Sequence, residues 1–200
     1  MWSVYEARSR VFPRRRAGRG GERAADLGPP GGAVAVRALI LGGARSGKSD
    51  LAERLVSNLG GGRVLYVATA IVGEDEDLSR RVRLHRERRP AEWGTLEVGN
   101  LDKVLEAAEK WNAVLIDSLT LWVSARGRDR ALPEFDAFLS RAGDLAVPFV
   151  LVSDEVGLGV VPDSTTGRRF RDELGLVNQR AAAAAEEVHL CVAGVDMRIK

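Results

Sequence analysis

The chain has 200 residues, 45% of them apolar and 29% charged, with a formal net charge of +2. That length suits one domain with a substantial core, no apolar run approaches the roughly 20 residues of a membrane span, and one cysteine excludes a disulfide framework. The positive balance is local: residues 1–36 hold seven arginines against three acids, so the rest carries −2, which argues against a broad nucleic-acid surface.

Residues 1–33 contain Arg14-Arg15-Arg16 and Gly28-Pro29-Pro30-Gly31-Gly32 without a periodic apolar pattern. They read as a disordered Arg/Gly/Pro-rich extension before a catalytic domain at 34–200. An Arg-rich organelle transit segment, or translation starting near Val34, are the alternatives; a secretory signal would need an apolar stretch. From Val34 onward strands and helices alternate. Strands are predicted at 36–41, 63–68, 113–116, 149–152 and 188–192, with a short edge strand at 96–98. Helices are predicted at 48–59, 75–88, 101–110, 133–145 and 167–187. This order, with near-continuous apolar strands, predicts a parallel sheet covered on both faces, with ligands at the carboxyl ends of the strands.

Between the first strand and the first helix stands Gly42-Gly43-Ala44-Arg45-Ser46-Gly47-Lys48-Ser49, a complete G-x-x-x-x-G-K-[ST] phosphate loop in its required context. Glycines let backbone N–H groups converge on phosphate oxygens at a helix N-terminus. Lys48 is expected at the β/γ phosphates and Ser49 at Mg²⁺. Asp117 ends the apolar run 113–116 and either orients the metal or caps the following segment at 119–124.

His85 shares a predicted helix face with Leu78 and Val82, the pattern of a satisfied core histidine. The neighbouring Arg83, Arg86, Arg88 and Arg89 either gather triphosphate oxygens or form a solvated, salt-bridged face. Asp154 and Glu155 follow the strand at 149–152. The loop 156–162 after them is apolar enough to shape a pocket for a bulky substrate, or to serve as a packing turn. His189 and Cys191, within the last predicted strand, read as structural.

Several segments together resemble the bifunctional adenosylcobinamide kinase / adenosylcobinamide-phosphate guanylyltransferase family of cobalamin biosynthesis. They are GGARSGKS at 42–49, YVATA at 66–70, the His85 helix ending RPAEW at 89–93, IDSLTLWVS at 116–124 and SDEVGLGVVP at 153–162. RRFRDELGLVNQRAAAAAEEV at 168–188 and the tail at 193–200 complete the set. A phosphate loop alone would name only a superfamily; the His-x₃-Arg-Pro-x₂-Trp segment with DEVGLGVVP is far more specific. The resemblance implies a three-layer, RecA-like phosphate-loop fold with a mostly parallel sheet. It implies that ATP or GTP phosphorylates adenosylcobinamide, and that GMP passes from GTP to the phosphate product through a guanylylated His85.

Residues carried over as nucleotide contacts are 42–49, Ala68, Thr69, Ala70, Arg86, Glu87, Arg88, Arg89, Glu97 and Asp117, with Ser49 and Asp117 on Mg²⁺ and Lys48 and His85 in catalysis. A corrinoid substrate, a homo-oligomer with a trimer as one form, and a cytoplasmic location follow by the same resemblance. The sequence departs from the family pattern at Ser118, where cysteine is common, at Asp154, where asparagine is common, and at Ser164-Thr165-Thr166. The alternative function is a phosphate-loop small-molecule kinase without guanylyl transfer, which would not need His85. A guanine-reading switch would carry [NT]-K-x-D, and the sequence has none.

Overall fold

The apolar runs become strands of one seven-stranded sheet in the computed structural model, which describes residues 35–69, 90–126 and 129–200. In chain order the elements are β1 (Val36–Gly42), α1 (Lys48–Gly60), β2 (Val64–Ala68), β3 (Gly94–Glu97), α2 (Leu101–Ala108) and β4 (Ala113–Asp117). They continue as α3 (Leu119–Arg126), α4 (Ala131–Ala142), β5 (Phe149–Asp154), α5 (Thr165–Ala184), β6 (Ala185–Val192) and β7 (Val195–Arg198). The strand order is β3-β2-β4-β5-β1-β6-β7. Every pairing is parallel except β6 with β7. The helix expected at 75–88 lies outside the described residues.

Central strands that are apolar on both faces need a helix layer on each side. On one side Leu51, Ala52 and Val56 of α1 pack on Ala38, Ile40, Val64, Leu115 and Val150. On the other, α2 to α5 bring Leu105, Trp122, Phe135 and Leu174 onto Leu39, Leu65, Val114 and Leu151. The result is the three-layer arrangement that the resemblance implied. A chain of rings runs through the second core: Trp122 to Phe135 at 6.0 Å, Phe135 to Phe138 at 5.8 Å, and Phe138 edge-on to Phe149 at 5.5 Å between centroids. Each such buried side chain contributes about 1.5–3 kcal/mol. The indole N–H of Trp122, which would be costly to bury unpaired, donates to the Gly99 carbonyl at 3.0 Å.

Local signals set the helix ends. Asn100 caps α2 by accepting from the Asp102 N–H (2.8 Å), and Ser164 caps α5 by accepting from the Gly167 N–H (3.0 Å). α4 begins at Ala131, two residues before the expected start, because Pro133 falls in the first turn, where its missing N–H costs nothing.

Two differences from expectation lie at the C-terminal end. The helix predicted to 187 stops at Ala184, and Ala185-Glu186-Glu187 opens β6. Ala and Glu favour helix, but pairing of Val36 with Ala185 and Ala38 with Glu187 overrides that weak preference. Arg37 of β1 bonds both Glu186 and Glu187, which secures the register. The second difference is β7, an antiparallel strand after a two-residue turn at Ala193 (φ 52°) and Gly194 (φ 81°). Positive φ at both turn residues is the type I′ geometry that matches strand twist. Ala-Gly is a weaker hairpin signal than Asn-Gly, so the sequence reading passed over it.

Candidate active site

Strand register brings the candidate residues to one edge. Gly42 pairs with Asp154, Ala68 with Asp117, and Ala68 also with Glu97. Since β5 lies between β1 and β4, Asp154 stands between the phosphate loop and Asp117. Successive strands are about 4.8 Å apart, so the loop strand and Asp117 are separated by roughly 10 Å, room for phosphates and a cation.

The loop is shaped by steric demands at its glycines. A Cβ on Gly42 would lie 2.6 Å from the Cys191 carbonyl and would also strike the Ser46 hydroxyl. Gly47, at φ 93°, holds the N-cap of α1, and no side chain caps that end among the described residues. An anion seated there would take over the capping role.

The overlooked hairpin is part of this site. The Gly194 N–H donates to the Ser46 carbonyl at 2.9 Å, so the β6–β7 turn braces the phosphate loop from the side. Gly194→Ala has open space for its methyl group but must hold φ 81°. The expected cost is about 1–2 kcal/mol, read as a lower midpoint in thermal unfolding. An unchanged midpoint would mean the turn relaxes and the brace is not rigid.

Lys48 opens α1. Its ammonium donates to the Gly43 carbonyl at 3.1 Å and lies 2.7 Å from Asp154 Oδ1. Asp154 is clamped through its backbone: its N–H donates to Thr120 Oγ1 (2.7 Å), and its carbonyl accepts from Asn178 Nδ2 (3.1 Å). Sequence reading placed Asp154 at a strand end but missed its pairing with Lys48, because that depends on which strand neighbours β1. Asp117 accepts a hydrogen bond from the Tyr66 hydroxyl at 2.9 Å, an orienting contact the sequence did not signal. The Glu155 carboxylate accepts from the Gly157 N–H at 2.6 Å, within its own loop.

Among the other predicted residues, Ser49 is half-buried in the first turn of α1 and Ala68 is buried at the end of β2. Thr69 is buried, donating to the Ser118 carbonyl (2.6 Å) and accepting from the Ser118 N–H (3.0 Å). The Asp117–Ser118 peptide between them is cis. Glu97 is exposed at the end of the edge strand. Ala70, His85, Arg86, Glu87, Arg88 and Arg89 lie outside the described residues.

The two residues read as structural are so placed. His189 is buried, with Nδ1 2.8 Å from Asp196 Oδ1 and Nε2 3.4 Å from Glu187 Oε2, tying β6 to β7. Cys191 is buried, and burial, reinforced by the Asp196 carboxylate, pushes its thiol up from its ordinary range. In the loop at 156–162, Val156 packs against the core, while Leu158 is 82% exposed and Val160 94%.

Comparison with known proteins decides the family. The profile described as cobinamide kinase / cobinamide phosphate guanyltransferase matches residues 38–199. The chain belongs to this family. The bifunctional adenosylcobalamin biosynthesis protein CobP of Pseudomonas aeruginosa is 44% identical over 171 residues, covering 82% of this chain and 98% of that protein. Proteins named CobU, also bifunctional in adenosylcobalamin biosynthesis, are 39% identical in Salmonella typhimurium and 38% in Escherichia coli, each over 81% of this chain and 98% of the relative. Among solved structures, the flagellar accessory protein FlaH of Methanocaldococcus jannaschii aligns at a TM-score of 0.48 and 17% identity, over 82% of this chain and 76% of that one.

Within the described residues of this family member, no group of three or more His, Cys, Asp or Glu side chains is placed to hold a metal, and no helix is long and apolar enough to cross a membrane. A magnesium ion held mainly by nucleotide phosphates needs no such cluster, since one or two protein oxygens and water complete its shell. The Ser49 hydroxyl and Asp117 carboxylate are donors of the right chemistry, on the first turn after the loop and on the strand beyond β5.

Proposed function

We propose that this chain phosphorylates adenosylcobinamide with ATP or GTP, then transfers GMP from GTP to the resulting phosphate, giving adenosylcobinamide-GDP. The observation that carries this reading is the family match over residues 38–199, which spans both the phosphate loop and His85. In the first reaction the aminopropanol hydroxyl attacks the γ-phosphorus, and the bond to the β-phosphate oxygen breaks. The loop's N–H groups and Lys48 hold the phosphates in line, and no protein nucleophile is required. Ser49 and Asp117 would hold Mg²⁺, which when bound neutralises phosphate charge.

In the second reaction the His85 imidazole attacks the α-phosphorus of GTP. A phosphorus–nitrogen bond forms and pyrophosphate leaves. The acceptor phosphate then displaces the imidazole and takes GMP. Imidazole suits both steps, because with a pKa of about 6.5 it is largely neutral and nucleophilic near pH 7 and leaves readily once protonated. Arg86, Arg88 and Arg89 are read as partners for the triphosphate, with Glu87, Glu97, Ala68, Thr69 and Ala70 as further nucleotide contacts. Exposure of Leu158 and Val160 supports a role for the loop as an apolar wall against the corrinoid. A homo-oligomer, with a trimer as one form, and a cytoplasmic setting belong to the same proposal.

The test is conversion of adenosylcobinamide with GTP and Mg²⁺, followed by mass spectrometry. It is run on the whole chain and on a chain shortened to begin at Val34. Both are expected to yield first the phosphate and then the GDP derivative, since residues 1–33 carry no periodic apolar pattern and the family match begins at residue 38. Accumulation of the phosphate with no GDP derivative would leave a plain kinase. Loss of activity on shortening would give residues 1–33 a part in the catalytic unit.

A further inference from the structure

We propose that Asp154 makes this chain discriminate the magnesium complex of its nucleotide from the free triphosphate. The inference rests on the reading that the phosphate loop takes a magnesium nucleotide, and goes beyond it by assigning a role to a carboxylate that neither reaction step uses. Three observations carry it. Asp154 Oδ1 is 2.7 Å from the Lys48 ammonium, and both side chains are largely shielded, at 14% exposure for Lys48 and 27% for Asp154. The Asp154 backbone is fixed on both sides by Thr120 and Asn178, so the carboxylate cannot retreat by moving its strand end. Its strand lies between the loop strand and the Asp117 strand, the path that terminal phosphates and a cation would occupy.

Without a ligand, Lys48 has a neutralising partner. When a free triphosphate enters, Lys48 is drawn to the phosphate oxygens, and Asp154 is left facing like charge in a partly shielded site. Affinity falls by that repulsion. When the triphosphate arrives with Mg²⁺, the same carboxylate faces a cation and can bind its water shell, as carboxylates commonly do around magnesium. The repulsion becomes attraction. Asp154 therefore couples metal and nucleotide binding, and by linkage each ligand raises affinity for the other by the same factor.

The test is calorimetric titration of the whole chain with ATP, once in chelator and once in excess Mg²⁺. Wild-type, Asp154→Asn and Asp154→Glu proteins are compared. Asp154→Asn keeps the shape and removes the charge. It is expected to bind metal-free ATP on the order of tenfold more tightly, equivalent to about 1.4 kcal/mol. Its affinity for the magnesium complex is expected to stay level or fall, so the metal–nucleotide coupling shrinks. Asp154→Glu restores the charge and is expected to recover the wild-type coupling. A merely structural role would weaken both titrations alike, and simple release of Lys48 would strengthen both alike; either result overturns the proposal. Wild-type protein that bound neither ATP nor, in the same titrations, GTP would instead overturn the nucleotide reading on which it rests.

Discussion

His85→Ala protein is expected to take up no covalent label from GTP labelled at the α-phosphate, whereas wild-type protein does. Alanine offers no nucleophile, so guanylyl transfer is abolished rather than slowed. Label at the γ-phosphate is expected to remain on neither protein, because it departs with pyrophosphate. The wild-type adduct is expected to be labile in acid and stable in base, as a phosphorus–nitrogen bond to imidazole is. The same variant is expected to keep phosphorylating adenosylcobinamide, since γ-phosphoryl transfer depends on positioning and charge. His189→Ala provides the control. Its ring is held between Asp196 and Glu187 across β6 and β7, so its loss lowers stability but leaves labelling intact. Full α-label on His85→Ala protein would remove His85 from the mechanism.

Lys48→Ala is expected to lower both reactions, each by roughly 10²–10³ in rate, the scale found when one preorganised group opposing developing charge is removed. The loss is expected to be shared on the proposal that one phosphate loop serves both steps. Two effects combine. The cation at the β/γ phosphates disappears, and Asp154 loses the partner now 2.7 Å away, leaving an uncompensated carboxylate beside the nucleotide. The double variant Lys48→Ala/Asp154→Asn is therefore expected to bind nucleotide better than Lys48→Ala alone while remaining catalytically poor. Steady-state assays of the two reactions in parallel check this. A variant that lost one activity and kept the other would require two separate nucleotide sites.

The N-terminal half of the candidate site is legible in the sequence, because a phosphate loop is local. Its glycines, Lys48 and Ser49 fall within a few residues of one strand–turn–helix unit, and β1 and α1 stand where the apolar spacing put them. Asp117 was legible for a similar reason, as a charge ending a run too apolar for anything but a buried strand. The apolar loop after Asp154 announced itself by composition, but which of its side chains pack and which stay exposed did not: Val156 lies on the core, whereas Leu158 and Val160 face outward. Boundaries were less legible where propensity and pairing disagree. Ala185 to Glu187 would extend a helix if they were alone, and they form strand because β1 offers hydrogen bonds and Arg37 offers charge.

By itself the sequence determined the class of fold, the phosphate-loop motif and the family, because each is written in contiguous residues with characteristic spacing. The tertiary structure alone decided who stands beside whom. That β5 is inserted between β1 and β4 is a fact of strand order, and it sets Asp154 against Lys48. That the chain's last hairpin folds back to support Ser46 through Gly194 joins positions 148 residues apart, a contact no local pattern encodes. The physical reason is the same in both cases. Strand order and long-range hydrogen bonds are selected by the burial and pairing of the whole sheet, while loop chemistry and helix caps are selected by the dihedral angles and donors of a few neighbouring residues.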